Sequence, residues 1–199
     1  MWIQELVIAS RNDGKIKEFE AALQGVVGVI RGVPSAFVMP EETGATFFGN
    51  AVLKARTVCD ALGVPALADD SGLVVEALDG EPGVRSARFG GVGLDDRGRT
   101  ALLLERMEGI PMERRLAKFV AALAVAKPDG TMHVAVGECA GTILFEPRGE
   151  GGFGYDPIFY YPPLDRTFAE LTSEEKNSVS HRAQALRNLL FQMRGFYTH

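Results

Sequence analysis

Residues 6–23 read LVIASRNDGKIKEFEAAL, in which an apolar run leads through a polar turn into a helical pattern. The run from Leu6 to Ala9 predicts a strand. After the turn, Ile16, Phe19 and Leu23 recur at the spacing of one helix face. The chain therefore begins with a strand, a polar turn and a helix.

The alternation of strands and helices continues along the chain. The patterns predict a strand over 26–31, a helix over 47–62 with Phe48, Val52, Ala55 and Cys59 on its apolar face, and two short strands around a tight exposed turn at Asp69-Asp70-Ser71-Gly72. They further predict a helix from Asp95 to about Met107 and a hairpin over 117–136. Near the end of the chain they predict a short strand over 158–160 and a last helix with Ala183, Leu186, Leu190 and Met193 on one stripe. The first hairpin arm is rich in alanine, so a helix stays open as an alternative there. The sequence predicts an α/β or α+β fold around a mixed sheet.

Composition narrows the class of protein. The 199 residues, 46% hydrophobic and 24% charged, predict one globular domain over 1–199. We expect no signal peptide or membrane span near the N-terminus, and hence a cytoplasmic protein. Cys59 and Cys139 lie in apolar segments, which predicts buried thiols, no disulfide and no zinc. A net charge of −5 disfavours nucleic acid as a partner.

The first candidate site is Ser10-x-Asn12-x-x-Lys15 at the strand-to-helix junction. Free N–H groups at a helix start bind anions, and Lys15 adds a positive charge, so phosphate is the natural ligand. The glycines of a P-loop are missing. Taken alone, the motif also fits a capped helix with a solvated lysine.

The second candidate site consists of two acidic pairs, Glu41-Glu42 and Asp69-Asp70, each followed by a hydroxyl residue and a glycine. Oxygen ligands on turns suit Mg²⁺, which takes one or two carboxylates together with substrate phosphates. Either pair alone also fits solvated surface charge. Asp69-Asp70 lies between apolar segments, where two carboxylates are costly to bury without a cation.

Two further motifs suggest ligand contacts in the last third of the chain. The stretch from Gly151 to Pro157 combines flexible glycines with Phe153 and Tyr155, whose flat faces are suited to stacking on a base. A turn with core aromatics is the alternative. Lys176 and His181-Arg182 precede the last helix and are spaced to converge on one ligand, with a solvated basic face as the alternative.

Taken together, these motifs resemble the inosine triphosphate pyrophosphatase family, the bacterial non-canonical purine nucleotide phosphatases, over nearly the whole chain. The similar segments occur in the family's order: 10–15, 41–44, 47–55, 68–73, 82–88, 152–157 and 170–182. The segment 114–123 is the least family-like.

The resemblance implies an α/β fold with an elongated mixed sheet flanked by helices, two lobes with a central nucleotide cleft, and a homodimer. It implies Mg²⁺-dependent hydrolysis of ITP, dITP and XTP to monophosphate and pyrophosphate. The roles it implies are Asp70 as proton acceptor and metal ligand, Glu42 and Asp69 as further metal ligands, Ser10, Asn12, Lys15 and Ser71 at the phosphates, Phe153, Gly154, Tyr155 and Asp156 around the base, and Lys176, His181 and Arg182 completing the pocket.

Three other functions stay open at this stage. A Maf-like pyrophosphatase acting on modified pyrimidine or methylated guanine triphosphates is disfavoured by the segments 151–157 and 176–182. A catalytically silent nucleotide-binding module has no use for both acidic pairs. A nucleic-acid-binding domain is disfavoured by the acidic balance.

Overall fold

The computed structural model describes residues 3–91 and 93–195. Its strands and helices alternate in the first half of the chain, whereas four strands followed by two helices make up the second half. They are β1 (Ile3–Ile8), α1 (Asp13–Leu23), β2 (Val27–Gly32), α2 (Phe47–Leu62), β3 (Ala66–Val75), α3 (Asp96–Arg106), β4 (Leu116–Ala126), β5 (Met132–Ile143), β6 (Phe159–Tyr161), β7 (Arg166–Thr167), α4 (Ser173–Val179) and α5 (His181–Gly195).

The described strands form one seven-stranded sheet in the order β2-β1-β3-β4-β5-β6-β7. Strand β1 pairs in parallel with both β2 and β3. Strand β6 pairs antiparallel with β5 and with β7. The sheet is therefore mixed and carries helices in the connections, which confirms the predicted fold class.

The chain divides into two compact units. The first takes its described residues from Met1–Asp70, Ala121–Gly137 and Arg182–His199, and the second from Ser71–Val120 and Glu138–His181. The prediction of a single domain over 1–199 stays a prediction.

The first unit buries two apolar clusters that follow the alternation of side chains along its strands. Leu6, Ile8 and Leu67 pack in a cluster with residues of α1 and α5. Val7 and Ala68, at alternate positions, pack in a second cluster with residues of α2. Successive side chains of a strand point to opposite faces, so neighbouring residues of β3 meet different helices.

The second unit has its own core, which is rich in aromatic rings. The Phe119 ring centroid lies 4.5 Å from that of Phe159 and 5.7 Å from that of Phe168. The buried Arg115 side chain donates hydrogen bonds to the carbonyl oxygens of Met107, Ile110, Ile143 and Leu144. A buried guanidinium thereby joins the end of α3 to the end of β5.

Local end signals explain why α2 and α3 begin where the sequence predicts. The Thr46 hydroxyl accepts from Gly49 N, and Gly63 ends α2 in a left-handed conformation with φ 67°. The Asp95 carboxylate accepts from Gly98 N at the start of α3. The hairpin is likewise confirmed, and its first arm is a strand rather than a helix.

One detail of the sequence prediction is wrong, and two others are confirmed only in part. Residues 69–72 are not an exposed turn between two short strands, because β3 runs through them and buries both aspartates. On the predicted face of α2, Ala55 and Cys59 are buried as expected, but Phe48 is 53% exposed, and Ala51 and Val58 belong to the buried face as well. The buried face of α5 carries Ala185 and Leu189 together with two of the predicted stripe residues, Leu186 and Met193.

Cys59 and Cys139 are buried free thiols, as predicted. Burial raises the pKa of Cys139 to about 11, so that thiol stays protonated near neutral pH. Across the described ranges, no helix combines the length and the apolar character that a membrane crossing requires.

Candidate functional site

Asp69 and Asp70 are consecutive residues of β3 and are almost fully buried, with 2% and 5% of their surfaces exposed. Because side chains alternate along a strand, the two carboxylates meet different partners. Asp69 contacts residues of α1 and α5, and Asp70 contacts residues of α2.

Asp69 is the common partner of two cations. The Lys15 Nζ atom lies 2.5 Å from Asp69 Oδ2, and the Arg182 Nε atom lies 3.5 Å from the same oxygen. Arg182 also pairs through Nη1 with Glu18 Oε2 at 3.1 Å. Burial alone would raise the pKa of Asp69, but Lys15 and Arg182 outweigh it and lower that pKa well below its usual range.

Asp70 is held by one amide and one ammonium group. Asn50 Nδ2 donates to Asp70 Oδ2 at 3.0 Å, and Lys54 Nζ donates to Asp70 Oδ1 at 3.3 Å. Burial raises the pKa of Asp70, and Lys54 and Asn50 offset that effect only in part. Asp70 is therefore the more basic of the two carboxylates.

Lys54 links Asp70 to the predicted ligand Glu42. Its Nζ atom donates to Glu42 Oε1 at 2.6 Å and to the carbonyl oxygen of Asp69 at 2.8 Å. Burial alone would lower the pKa of Lys54, but the Asp70 and Glu42 carboxylates raise it overall. The ammonium group therefore stays charged between two carboxylates.

The turn between β1 and α1 is held by its own polar side chains. Ser10 Oγ accepts from Asn12 N at 3.1 Å, and Asn12 Oδ1 accepts from Lys15 N at 3.0 Å as the N-cap of α1. The alternative of a capped helix is thus observed for Asn12. The alternative of a solvated Lys15 is not, because that side chain is 16% exposed and pairs with Asp69.

The second unit holds the other group of predicted residues, centred on Asp156 and Lys176. Lys176 Nζ lies 2.6 Å from Asp156 Oδ2, and the same oxygen accepts from Phe153 N at 2.9 Å. The ammonium group also lies 4.5 Å from the centroid of the half-buried Phe153 ring. A buried ion pair thus fixes the glycine-rich loop next to an aromatic face.

Three predicted residues of the second unit are placed differently from one another. Tyr155 is buried, and its hydroxyl donates to the Ser86 carbonyl oxygen at 2.9 Å, so the alternative of a core aromatic is observed for its ring. The buried His181 ring stacks on Phe119 with centroids 4.8 Å apart. Ser71 is half-buried in β3.

Sequence reasoning missed two residues of the first unit, Asn50 and Lys54. Both lie on α2, four residues apart, and both are buried among Ala51, Ala55 and Val58. Polar residues at positions i and i+4 on the same face as small apolar ones were the available signal. The sequence pattern predicts an apolar face that includes the buried Ala55 and Cys59 but begins at the exposed Phe48.

The chemistry of the donors decides which metal the site fits. Within residues 3–91 and 93–195, no group of three or more His, Cys, Asp or Glu side chains is arranged to hold a metal ion. Glu42 and Asp70 form a pair of carboxylates joined through Lys54. Mg²⁺ needs only one or two carboxylates when phosphate and water supply its other ligands, so this pair fits Mg²⁺.

These features define an α/β protein whose first unit combines buried carboxylates with buried cations, which suits a phosphate-bearing ligand. A family model described as the Ham1 family matches residues 6–192. The chain belongs to that family, which confirms the resemblance to the inosine triphosphate pyrophosphatases.

Similar proteins cover nearly the whole chain. A dITP/XTP pyrophosphatase of Desulforamulus reducens is 48% identical over 98% of this chain and 98% of its own length. One from Thermus thermophilus is 52% identical over 94% of this chain and 90% of its own. The structure of a HAM1 protein from Coxiella burnetii has a TM-score of 0.87 at 40% identity and covers 96% of this chain and 99% of its own.

Proposed function

We propose that this protein hydrolyses non-canonical purine nucleoside triphosphates, namely dITP, ITP and XTP, to the monophosphate and pyrophosphate, and so removes them from the nucleotide pool. The observation that carries the proposal is Asp70, a buried carboxylate with a raised pKa held between Asn50 and Lys54. The names of relatives about 50% identical over the chain support the substrate class.

In this mechanism Asp70 accepts the proton of the attacking water, because its buried carboxylate is aimed into the site by two donors. The Asn50 amide and the Lys54 ammonium fix the orientation of its two oxygens. Lys54 also keeps positive charge beside Glu42 and Asp70, where phosphate oxygens need neutralising.

Mg²⁺ is proposed as the cofactor, with Glu42 and Asp70 as its protein ligands. When bound, it would neutralise phosphate charge and favour departure of pyrophosphate. Asp69 is proposed as a further ligand through Oδ1, because Lys15 and Arg182 both contact its other oxygen, Oδ2. Its second proposed role is to hold Lys15 in position for phosphate and Arg182 in position for the base.

Ser10, Asn12, Lys15 and Ser71 are proposed to contact the phosphates. Lys15 carries the charge, while the Ser10 and Asn12 side chains shape the turn that leads to it. Because a lysine contacts charge and not base shape, Lys15 contributes affinity without base preference.

The glycine-rich loop is proposed to receive the base, with Phe153 supplying the aromatic face and Lys176, His181 and Arg182 supplying polar contacts. Hypoxanthine and xanthine present an acceptor at C6, where adenine presents a donor. Donors facing that position would be left unpaired by adenine, which costs orders of magnitude in rate.

Product analysis tests this function. The protein is incubated with ITP, dITP, XTP, GTP, ATP and a modified pyrimidine triphosphate, each with Mg²⁺ and with a chelator. We expect IMP and pyrophosphate from ITP, little turnover of ATP, and none with the chelator. IDP with orthophosphate would contradict the proposed bond cleavage, and a preference for the pyrimidine would favour the Maf-like alternative.

The family resemblance also underlies two further proposals, a homodimer and a cytoplasmic location. Light scattering of the purified protein measures the mass in solution against the 21.5 kDa of one chain. Cell fractionation tests the location.

A further inference from the structure

The peptide groups of Gly154 are held by helix α3, which lies far away in sequence. Gly154 N donates to Asp96 Oδ2 at 2.7 Å, and Thr100 Oγ1 donates to Gly154 O at 3.4 Å. Asp96 and Thr100 are four residues apart and therefore lie on one face of the helix. Both polar groups of Gly154 are thus bound by the same helix face.

Asp96 is itself held in place by neighbouring groups. Its second carboxylate oxygen, Oδ1, lies 2.5 Å from Arg99 Nη2. The Arg99 guanidinium is anchored in turn by a hydrogen bond from Nη1 to the Leu94 carbonyl oxygen. One oxygen of Asp96 is therefore fixed by Arg99, and the other is directed at the loop.

The glycine-rich loop depends on such contacts for its shape. Gly149, Gly152 and Gly154 all have positive φ angles, so this backbone has wide conformational freedom when it is not tethered. The loop also borders a pocket of about 770 Å³ whose lining includes Asp96, Thr100, Phe153 and Gly154. On the α3 side, the hydrogen bonds from Gly154 to Asp96 and from Thr100 to Gly154 hold the loop in position.

Two carboxylates therefore hold two consecutive peptide groups of the loop, one carboxylate for each. Asp156 accepts from Phe153 N and is tied to Lys176. Asp96 accepts from the next N–H group, that of Gly154, and is tied to Arg99. Together they fix the backbone on both sides of the Phe153 carbonyl.

The geometry points to Asp96 as a positioning residue that sets base specificity by fixing Gly154 in the base-binding loop. This inference rests on the proposed function, because it takes that loop as the site of base recognition. Asp96 contacts no substrate in this role. It holds the loop in one position relative to the base. Its loss should therefore change KM and the preference for dITP over dATP more than it changes kcat.

The test measures kcat and KM for dITP and dATP in the wild type, Asp96→Ala, Asp96→Asn and Asp95→Ala. A hydrogen bond from backbone N–H to a carboxylate is worth about a tenfold change, so we expect Asp96→Ala to raise KM for dITP by roughly tenfold. The preference for dITP over dATP should fall by a similar factor, with kcat within about threefold of the wild type. Hydrogen exchange over residues 150–156 should become faster in the same variant.

The other two variants separate positioning from helix stability. Asp96→Asn keeps an oxygen that accepts from Gly154 N but loses the ion pair with Arg99, so it should restore most of the dITP preference. Asp95→Ala removes the cap of the same helix, and it should lower the melting temperature while leaving KM and exchange over 150–156 unchanged.

The outcomes also distinguish this inference from the proposed function. If the wild type releases no pyrophosphate from any triphosphate, the proposed function fails. If the wild type is active but Asp96→Ala keeps both its base preference and its slow loop exchange, the positioning role is wrong. If Asp95→Ala matches Asp96→Ala in every readout, the effect belongs to helix stability and the inference is overturned.

Discussion

Two neighbouring regions of the first unit each bury a carboxylate to almost the same extent, but the charged groups that contact the two carboxylates differ. Asp69 has two cationic partners and a strongly lowered pKa, whereas Asp70 shares one lysine with Glu42 and has a raised pKa. The charged partners of each carboxylate, more than its burial, set its pKa. A buried carboxylate that pairs with two cations stays ionised and holds those cations in place. A buried carboxylate that shares one cation with another carboxylate binds a proton more readily.

The sharpest way to break this comparison is Asp70→Asn. The amide has nearly the same volume but accepts no proton from water, so we expect kcat for dITP to fall by about 10³-fold or more. Stability should change little, because Lys54 keeps Glu42 as a partner and a buried charge with a raised pKa is removed. Activity within a few-fold of the wild type would refute the assignment.

Asp69→Asn should differ from Asp70→Asn in causing a large loss of stability. The change leaves Lys15 without its carboxylate partner and Arg182 with Glu18 as its remaining ion pair. Removing one member of a buried ion pair costs about 3–5 kcal/mol, which urea unfolding measures directly. Glu18→Gln is the matched control and should cost less, because Arg182 then keeps Asp69. Equal stability losses for Asp69→Asn and Asp70→Asn would remove the distinction between the two carboxylates.

Asn50→Ala tests whether orientation of Asp70 matters as well as its charge. Asn50 is fully buried, and its amide joins two parts of the site by donating to Asp70 and accepting from Gly44 N at 2.8 Å. Loss of both contacts leaves buried groups unsatisfied, which costs about 1–3 kcal/mol of stability. Because Asp70 also loses its orientation, we expect kcat to fall by about ten- to hundredfold. Cys59→Ala on the same helix is the control, and it should lower stability without affecting kcat.

Local signals explain what the sequence predicts well. Thr46 and Gly63 bracket α2, and Asp95 caps α3, so these helices start and stop at residues whose chemistry is visible in the sequence. The motif at 10–15 also lies where a strand meets a helix, as its pattern predicts. Each of these features is decided within a few residues of chain.

Long-range partners explain what the sequence does not predict. The sequence predicts an exposed turn at Asp69 and Asp70, because adjacent acidic residues are common in surface turns. They are buried because Lys15, Lys54 and Arg182 arrive from three separate helices to compensate them. The sequence leaves two alternatives for Tyr155, a stacking face and a core aromatic, and the contacts that place its ring in the aromatic core are not revealed by any local pattern.

A third carboxylate, Glu175, sharpens the comparison because it is held ionised at the surface. Arg166 donates to both of its oxygens, at 2.6 and 3.1 Å, and Thr172 N donates to Oε2 at 2.8 Å in the capping box of α4. These contacts, that of Arg166 first, lower the pKa of Glu175 to about 2 from an ordinary 4.5. Cations and N–H groups thus have the same effect on Glu175 at the surface as cations have on Asp69 in the interior.

The effect of Glu175 on stability should therefore depend on pH in a defined direction. A carboxylate whose pKa is lower in the folded state stabilises the protein above its unfolded pKa of about 4.5, and that contribution is lost as pH falls toward about 2. We expect the wild type to unfold at a higher urea concentration than Glu175→Gln between pH 6 and 8, by a small and constant margin. The margin should shrink steadily below pH 4.5. Glu174→Gln removes the same charge from the neighbouring exposed position and controls for net charge. A margin for Glu175→Gln that stays constant or widens on acidification would show that the Arg166 and Thr172 contacts do not act through the ionised carboxylate.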